Sequence, residues 1–134
     1  MTPERMAQIY AAAFPDMRPW SAAEIADLLC NPMIEAITGD DAFGLTQTIA
    51  GESELLTLAV HPGAQGKGTG RALLREWLGK NGVQVAFLEV AADNTAAIAL
   101  YHSTGFAQEG LRPAYYPRKN APPADAILMR RQLP

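Results

Sequence analysis

At 134 residues the chain has the length of one domain, long enough to bury a core, and its 49% hydrophobic content includes no uninterrupted apolar run of membrane-spanning length. A net charge of −3 carries no global nucleic-acid footprint. The one cysteine, Cys30, cannot form an internal disulfide, and the N-terminus lacks the basic-then-apolar build of a signal peptide, so the cytoplasm is the expected compartment.

In chain order, Thr2-Pro3-Glu4 predicts a helix start, because Thr caps and Pro is tolerated in the first helical turn; Met6, Ile9, Tyr10, Ala13 and Phe14 then mark one face. Ser21 with Glu24 three residues on reads as the capping box of a second helix, whose Ile25, Leu28 and Leu29 point inward and which Asn31-Pro32 stops. Cys30, at the end of that helix, reads as core filling. Short strands are expected at roughly 33–38, 43–49 and 54–60, broken by turns at Gly39-Asp40-Asp41 and Gly51-Glu52. A glycine-rich turn and a helix ending near Gly79 come next, and the nearly continuous apolar run Val83 to Val90 predicts a strand buried on both faces. Asn94 caps a further helix that Gly105 closes, and Pro-rich residues 117–123 read as a loop between two final strands.

The glycine-rich turn is Gln65-Gly66-Lys67-Gly68-Thr69-Gly70, followed at once by the amphipathic run Arg71 to Leu78. Glycines let the backbone curl so that several N–H groups converge on an anion, and the helix N-terminus behind them adds about half a positive charge. The spacing G-x-G-x-G fits neither the dinucleotide fingerprint nor a triphosphate-binding loop, and by itself it is equally compatible with a plain structural turn.

A second stretch runs Leu88-Glu89-Val90-Ala91-Ala92-Asp93-Asn94-Thr95-Ala96-Ala97-Ile98-Ala99-Leu100-Tyr101-His102-Ser103-Thr104-Gly105-Phe106. Together with Q-G-K-G-T-G it resembles the GNAT family of acetyl-CoA-dependent N-acetyltransferases, whose patterns are [QR]-x-x-G-x-[GA] and N-x-x-A-x-x-L-Y-x-x-x-G-F. Within that family it is most similar to the RimI type, the ribosomal-protein-alanine N-acetyltransferases. L-E-V before the Asn, Arg112-Pro113-Ala114-Tyr115-Tyr116-Pro117 and Asp125-Ala126-Ile127-Leu128-Met129 carry that likeness, with an echo at Phe14 through Pro19-Trp20-Ser21. The resemblance is strong from about residue 52 to 130 and thin before it.

The resemblance implies a single α/β domain over 1–134 with a mixed central sheet flanked by helices. A strand usually precedes the family's first helix, whereas this chain opens on the helix; the expectation is a sheet one edge strand smaller, or a misplaced start codon. It implies acetyl-CoA as cosubstrate, its pantetheine arm along the strand containing Leu58, Ala59 and Val60, its pyrophosphate on the backbone of Gln65, Gly66, Lys67, Gly68, Thr69 and Gly70, with Lys67 and Arg71 adding modest attraction and Asn94 a lesser contact. No metal is expected, since two scattered histidines and one cysteine offer no ligand spacing. His61 and His102 read as solvated or capping groups.

Glu89 interrupts an otherwise apolar strand, where burial would make a carboxylate a better base; it reads as a general base or, alternatively, as a strand-end glutamate in solvent. Tyr101, two turns past Asn94, reads as the general acid for the departing thiolate or as a core tyrosine, with the phenol and thiol pKa values about two units apart. The resemblance favours the catalytic alternative for both. Trp20, Tyr115 and Tyr116 are the expected acceptor-side walls, the tyrosines with simple hairpin packing as the alternative. The implied acceptor is a protein N-terminal α-amine, that of a ribosomal protein, approached by a monomer or weak homodimer without direct contact to nucleic acid or membrane. A small amine or metabolite as acceptor, and a non-catalytic CoA-binding module, are the alternatives.

Overall fold

Both helix caps form where residue type places them. In the computed structural model, which describes residues 1–134, Thr2 Oγ1 accepts from the Arg5 N–H at 3.1 Å and α1 runs Pro3–Ala13. Ser21 Oγ accepts from the Glu24 N–H at 3.1 Å while the Glu24 carboxylate accepts from the Ser21 N–H at 3.2 Å, opening α2 (Ala22–Leu29). The chain continues β1 (Ile34–Gly39), β2 (Ala42–Ile49), β3 (Glu52–Val60), α3 (Thr69–Leu78), β4 (Val85–Ala91), α4 (Thr95–Ser103), β5 (Ala107–Tyr116) and β6 (Ala124–Gln132). A short 3-10 turn at Pro62–Ala64, which the sequence reading did not anticipate, joins β3 to the glycine loop.

The strands form one six-stranded sheet in the order β1-β2-β3-β4-β6-β5, and β3 with β4 is its parallel pair. α1 is the first element of residues 1–134, and β1 is one edge of the sheet. No helix is long and apolar enough to cross a membrane.

Each sheet face has its own core. On one, Leu73, Leu74 and Trp77 of α3 pack with Tyr101 and Phe106 against Ile37, Leu55, Leu88 and Met129. On the other, Met6, Ile9 and Tyr10 of α1 with Ile25 of α2 cover Phe43, Leu45 and Ala59, and this second cluster reaches no residue of β4, β5 or β6. That limit corrects the expectation of a doubly buried β4: Ala86, Leu88 and Val90 are buried under α3 and α4, while Val85, Phe87 and Glu89 on the opposite face are half-buried. Cys30 is likewise not core filling, for it is the exposed C-cap of α2, one position beyond the buried stripe.

One irregularity shapes the sheet. Thr46 pairs with Leu55 but Leu45 pairs with Thr57, leaving Leu56 as an extra residue on β3. Side-chain parity flips across it: Ser53 and Leu55 face α3 before the bulge, and Leu58 and Val60 do so after it. Pairing between β3 and β4 covers only Glu52–Leu55 against Val85–Leu88, so the two parallel neighbours diverge from the bulge onward.

Below the bulge a buried polar relay ties α3 to the sheet. The Trp77 indole N–H donates to Ser53 Oγ at 2.8 Å, and Ser53 Oγ shares a 2.8 Å hydrogen bond with Thr48 Oγ1. Both Trp77 and Ser53 are fully buried. Ser53→Ala leaves the indole N–H without a partner, and we expect a loss of about 1–3 kcal/mol, read as a lower urea midpoint with unchanged slope. An unchanged midpoint would show that the relay contributes nothing net.

Candidate active site

Where β3 and β4 part, a cavity of about 950 Å³ opens. Its walls include the glycine loop and the start of α3 together with Tyr10, Trp20, Glu89, Tyr101 and Tyr116.

The loop end is held from behind and left open in front. His61 Nδ1 accepts from the Gly63 N–H at 3.1 Å, and Gln65 Nε2 donates to the Val60 carbonyl at 3.0 Å, which folds the loop back on β3. Gly66 and Gly68 sit at φ +77° and +79°, a conformation that L side chains resist, and a Cβ at either would meet no protein atom within 4 Å. α3 has no side-chain cap; its first bond runs from the Ala72 N–H to the Gly68 carbonyl at 3.0 Å, and the N–H groups of Gly66 to Gly70 have no acceptor in the chain. A row of free donors at a helix N-terminus, with empty space before it, fits an anion. Gly70 serves packing instead: a Cβ there would stand 3.3 Å from the Leu100 side chain, so its absence sets how closely α3 approaches α4.

Of the residues expected to hold a cofactor, Leu58, Val60, Gln65, Gly66, Gly68, Thr69, Gly70, Arg71 and Asn94 line the cavity. Two do not. Lys67 is exposed outside it, and the Ala59 side chain points into the α1 and α2 core, leaving it only backbone groups to offer. Asn94 does the capping work expected of it, its Oδ1 accepting from the Ala97 N–H at 3.2 Å. His61 is a capping group and His102 is exposed on α4, as read from the sequence.

Glu89 and Tyr101 reach the cavity from opposite faces of the sheet. Glu89 lies on the β4 face turned away from Leu88 and Val90, its side chain 19% exposed, with Oε1 3.0 Å from Nη2 of Arg112 on β5. Glu54 of β3 is half-buried on that same side, and burial and the Glu89 charge raise its pKa while Arg112 opposes the rise. The Tyr101 ring packs on Phe106 with centroids 6.0 Å apart, and its hydroxyl, bonded to no protein group yet not sealed from solvent, opens on the cavity. Burial pushes that phenol well above its ordinary pKa, and Tyr116 adds to the rise. The two-unit gap to a thiol expected from free side chains is therefore an underestimate, and the phenol is neutral at neutral pH.

The tyrosine pair of the β5–β6 hairpin divides. Tyr116 lines the cavity, its pKa pushed up to about 12 by burial first and then by the charge of Glu89. Tyr115 is 48% exposed and lies outside, edge-on to Tyr116 at 5.1 Å. Trp20 lines the far wall, stacked on Tyr10 with centroids 5.0 Å apart and planes 13° from parallel. Arg112 and Arg118 escaped the sequence reading as site residues, although Arg112 opens the R-x-x-Y-Y-P stretch. The Arg118 side chain is 9% exposed and forks onto Asp93, Nη2 to Oδ1 at 2.8 Å and Nε to Oδ2 at 3.1 Å, fastening the hairpin to the β4–α4 turn beside the cavity. No group of His, Cys, Asp and Glu side chains is arranged to hold a metal ion.

A sheet parted by a bulge, with a glycine-rich helix start at the opening, defines an acyltransferase architecture. The family model described as "Acetyltransferase (GNAT) family" matches residues 10–106, and the chain belongs to that family. The N-alpha-acetyltransferase RimI of Mycobacterium tuberculosis is 39% identical over 137 residues, covering 96% of this chain and 85% of that protein. The [ribosomal protein bS18]-alanine N-acetyltransferase of Escherichia coli K12 is 46% identical over 91 residues, covering 66% of this chain and 61% of that protein. A longer Mycobacterium leprae protein is 43% identical over 96% of this chain, which spans 38% of its length. The crystal structure of the ribosomal-protein-S18-alanine N-acetyltransferase from Escherichia coli superposes with a TM-score of 0.87 at 34% identity, over 98% of this chain and 87% of that one.

The Arg118 fork makes a pH-dependent prediction. Its guanidinium hydrogen-bonds the Asp93 carboxylate and holds it below the usual aspartate pKa. A depressed carboxylate contributes stability that is complete above its unfolded value, about 3.9, and is lost as pH falls through the folded value. Asp93→Ala strands a mostly buried cation, yet the carboxylate itself is 57% exposed and screened. We expect a loss of about 1–2 kcal/mol at pH 7 that fades in acid below the ordinary aspartate range, measured as the wild-type minus variant difference in urea unfolding. A difference constant with pH would mean that packing, not charge, is what the variant loses.

Proposed function

We propose that this chain, acting as a single domain, transfers acetyl from acetyl-CoA directly to the N-terminal α-amine of a protein, a ribosomal protein as the names of its relatives suggest. The observation that carries the proposal is the juxtaposition of Glu89 and Tyr101 in one cavity whose other end is a loop of unpartnered N–H donors. Acetyl-CoA fits that layout. The free donors of Gly66 to Gly70 and the α3 N-terminus receive the pyrophosphate. The backbone of β3 beyond the bulge, which has no pairing with β4, offers the extended pantetheine arm a strand edge. The thioester then lies in the parting of the strands.

The chemistry follows from which side each group occupies. The ammonium of the acceptor loses its proton to the Glu89 carboxylate, directly or through one water, and the freed amine attacks the thioester carbonyl. Carbon–nitrogen bond formation is followed by carbon–sulfur cleavage; the nitrogen loses its second proton to solvent as the amide forms, and sulfur leaves with a proton supplied from the Tyr101 side that solvent then restores. Because burial raises the Tyr101 pKa, the phenol stays protonated until sulfur gains charge, and its hydrogen bond strengthens at that moment. Trp20 and Tyr116 wall the acceptor entrance. Near pH 7 about a tenth of an α-amine with pKa about 8 is already neutral, roughly two hundredfold more than of a lysine at about 10.4, so one carboxylate suits a chain terminus. A cytoplasmic setting and a monomer or weak homodimer complete the reading.

Intact-mass analysis of peptides with varied first residues, incubated with acetyl-CoA beside small-amine controls, tests the acceptor. We expect a single acetyl on peptide N-termini, alanine among the accepted first residues. Faster acetylation of free small amines than of any peptide would overturn the assignment.

Tyr101→Phe should lower kcat by about one to three orders of magnitude with little change in acetyl-CoA binding, since the hydroxyl acts as the thiolate leaves. Wild-type turnover in that variant would return Tyr101 to a packing role. Gly68→Val places a β-branched side chain at φ +79° and into the space before the donors. Calorimetry should show CoA affinity reduced by about tenfold or more, and unchanged binding would remove this loop from the cofactor site.

A further inference from the structure

Arg112 is not in the cavity lining, yet it is the one cation in contact with the Glu89 carboxylate. Its reach is unusual, because β6 lies between β5 and β4 in the sheet. Arg112 pairs with Ala126 of β6, and Ala126 pairs with Ala91 of β4, so these three residues and Glu89, two positions from Ala91, share one face. Two alanines in that row leave the space over β6 clear for a long side chain. No helix of the α1 and α2 core covers this half of the sheet. The guanidinium crosses the intervening strand and meets Glu89 Oε1 at 3.0 Å.

The hairpin is shaped to hold it there. Between the pairs Arg112–Ala126 and Tyr116–Ala124, three residues of β5 face one of β6. Ala114 takes φ +51° in this bulge, and its N–H donates to Asp125 Oδ1 at 2.8 Å. The bulge sends Tyr115 outward, where its ring lies 5.2 Å from the Arg112 guanidinium carbon. Arg112 is thus gripped between an aromatic face and a carboxylate. The exposed Tyr115, which lies outside the main cavity, gains a role as the back support of the arginine.

The need for a cation is set by Glu54. It stands opposite Phe87 in the parallel register, which places it diagonal to Glu89 on the same face. The charged and titratable groups facing Glu89 are therefore Glu54 from β3 and Arg112 and Tyr116 from β5; Arg118 is engaged by Asp93, and Arg130 stands 3.7 Å from Glu109. With Arg112 removed, two carboxylates would face each other without a counter-charge, and Glu89 would be free to turn from the cavity.

We propose that Arg112 is a positioning residue: it aims the Glu89 carboxylate at the acceptor amine by reaching across β6, and Tyr115 holds it in that pose. The proposal rests on Glu89 acting as the base. Steady-state kinetics on the peptide acceptor would compare wild type, Arg112→Gln, Arg112→Lys, Glu89→Gln and the Arg112→Gln/Glu89→Gln double variant, with CoA calorimetry confirming that each is folded. We expect Arg112→Gln to lower kcat by about 10- to 100-fold with the acetyl-CoA KM within about twofold, because the residue lies outside the cavity lining. Arg112→Lys, which keeps a charge able to make a single contact, should recover most of the loss. In the Glu89→Gln background the Arg112→Gln change should cost under about threefold, since a residue acting through Glu89 has nothing left to aim.

A full multiplicative loss in the double variant would overturn the proposal by showing that Arg112 acts independently of Glu89. So would an Arg112→Gln enzyme as active as wild type beside a defective Glu89→Gln. Undiminished turnover of Glu89→Gln alone would overturn the base assignment itself, and that outcome is separate from the other two.

Discussion

The site depends on a parting of strands. β3 and β4 are parallel neighbours for four residue pairs and then separate, at the point where Leu56 adds one residue to β3. A sheet that opens in its middle exposes backbone N–H and C=O groups that would otherwise be paired, which is costly unless something else satisfies them. An extended ligand arm with amide groups of its own is the natural replacement. The bulge therefore does more than bend a strand, since it leaves a stretch of β3 unpaired with β4 and borders the cavity.

From that opening follows the placement of Glu89 and Tyr101. In a closed sheet, Glu89 on one face and Tyr101 beneath the other would be separated by the sheet itself. The parting lets both reach one cavity, each from a distinct environment. Tyr101 sits in the α3 and α4 core, where burial holds its proton, while Glu89 sits on the thinly covered face within reach of Arg112 and solvent. The two side chains are thus set apart by which core lies behind them, and in the proposed reaction a thioester in the gap would be attacked from one side while its sulfur departs toward the other.

Local signals were the legible ones. Thr2, Ser21 with Glu24, Asn94 and Gly105 announced helix ends because capping is a short-range hydrogen-bonding event between residues within a few positions. The glycine loop was legible for the same reason, as φ above zero at Gly66 and Gly68 is a local demand. What sequence hid was set by non-local register. Leu55-Leu56 reads as two apolar residues in a row, and only the pairing of β3 with β2 reveals that one is extra. Tyr115 and Tyr116 are adjacent and chemically alike, and the bulge at Ala114 alone decides which of them reaches the cavity. Cys30 and the outer face of β4 were assigned to the core by apolar content, but α1 and α2 cover only the first three strands.

Arg112 and Arg118 show why charge is the hardest feature to read along a chain. Both lie on the β5–β6 hairpin or its loop, and both find their carboxylates on or next to β4, across intervening structure. A net charge of −3 gives no hint that two of the cations are committed to this one region. Their environments also differ in consequence. Arg118 is nearly buried and grips a mostly exposed aspartate, so its bond closes a seam at the cavity wall. Arg112 is half exposed and grips the less exposed Glu89, so its contact bears on a group that faces the cavity. The hairpin, which shares no residue with the glycine loop, thereby bears on the same cleft, and in the proposed reaction the loop would hold the acyl donor while the hairpin aims the carboxylate.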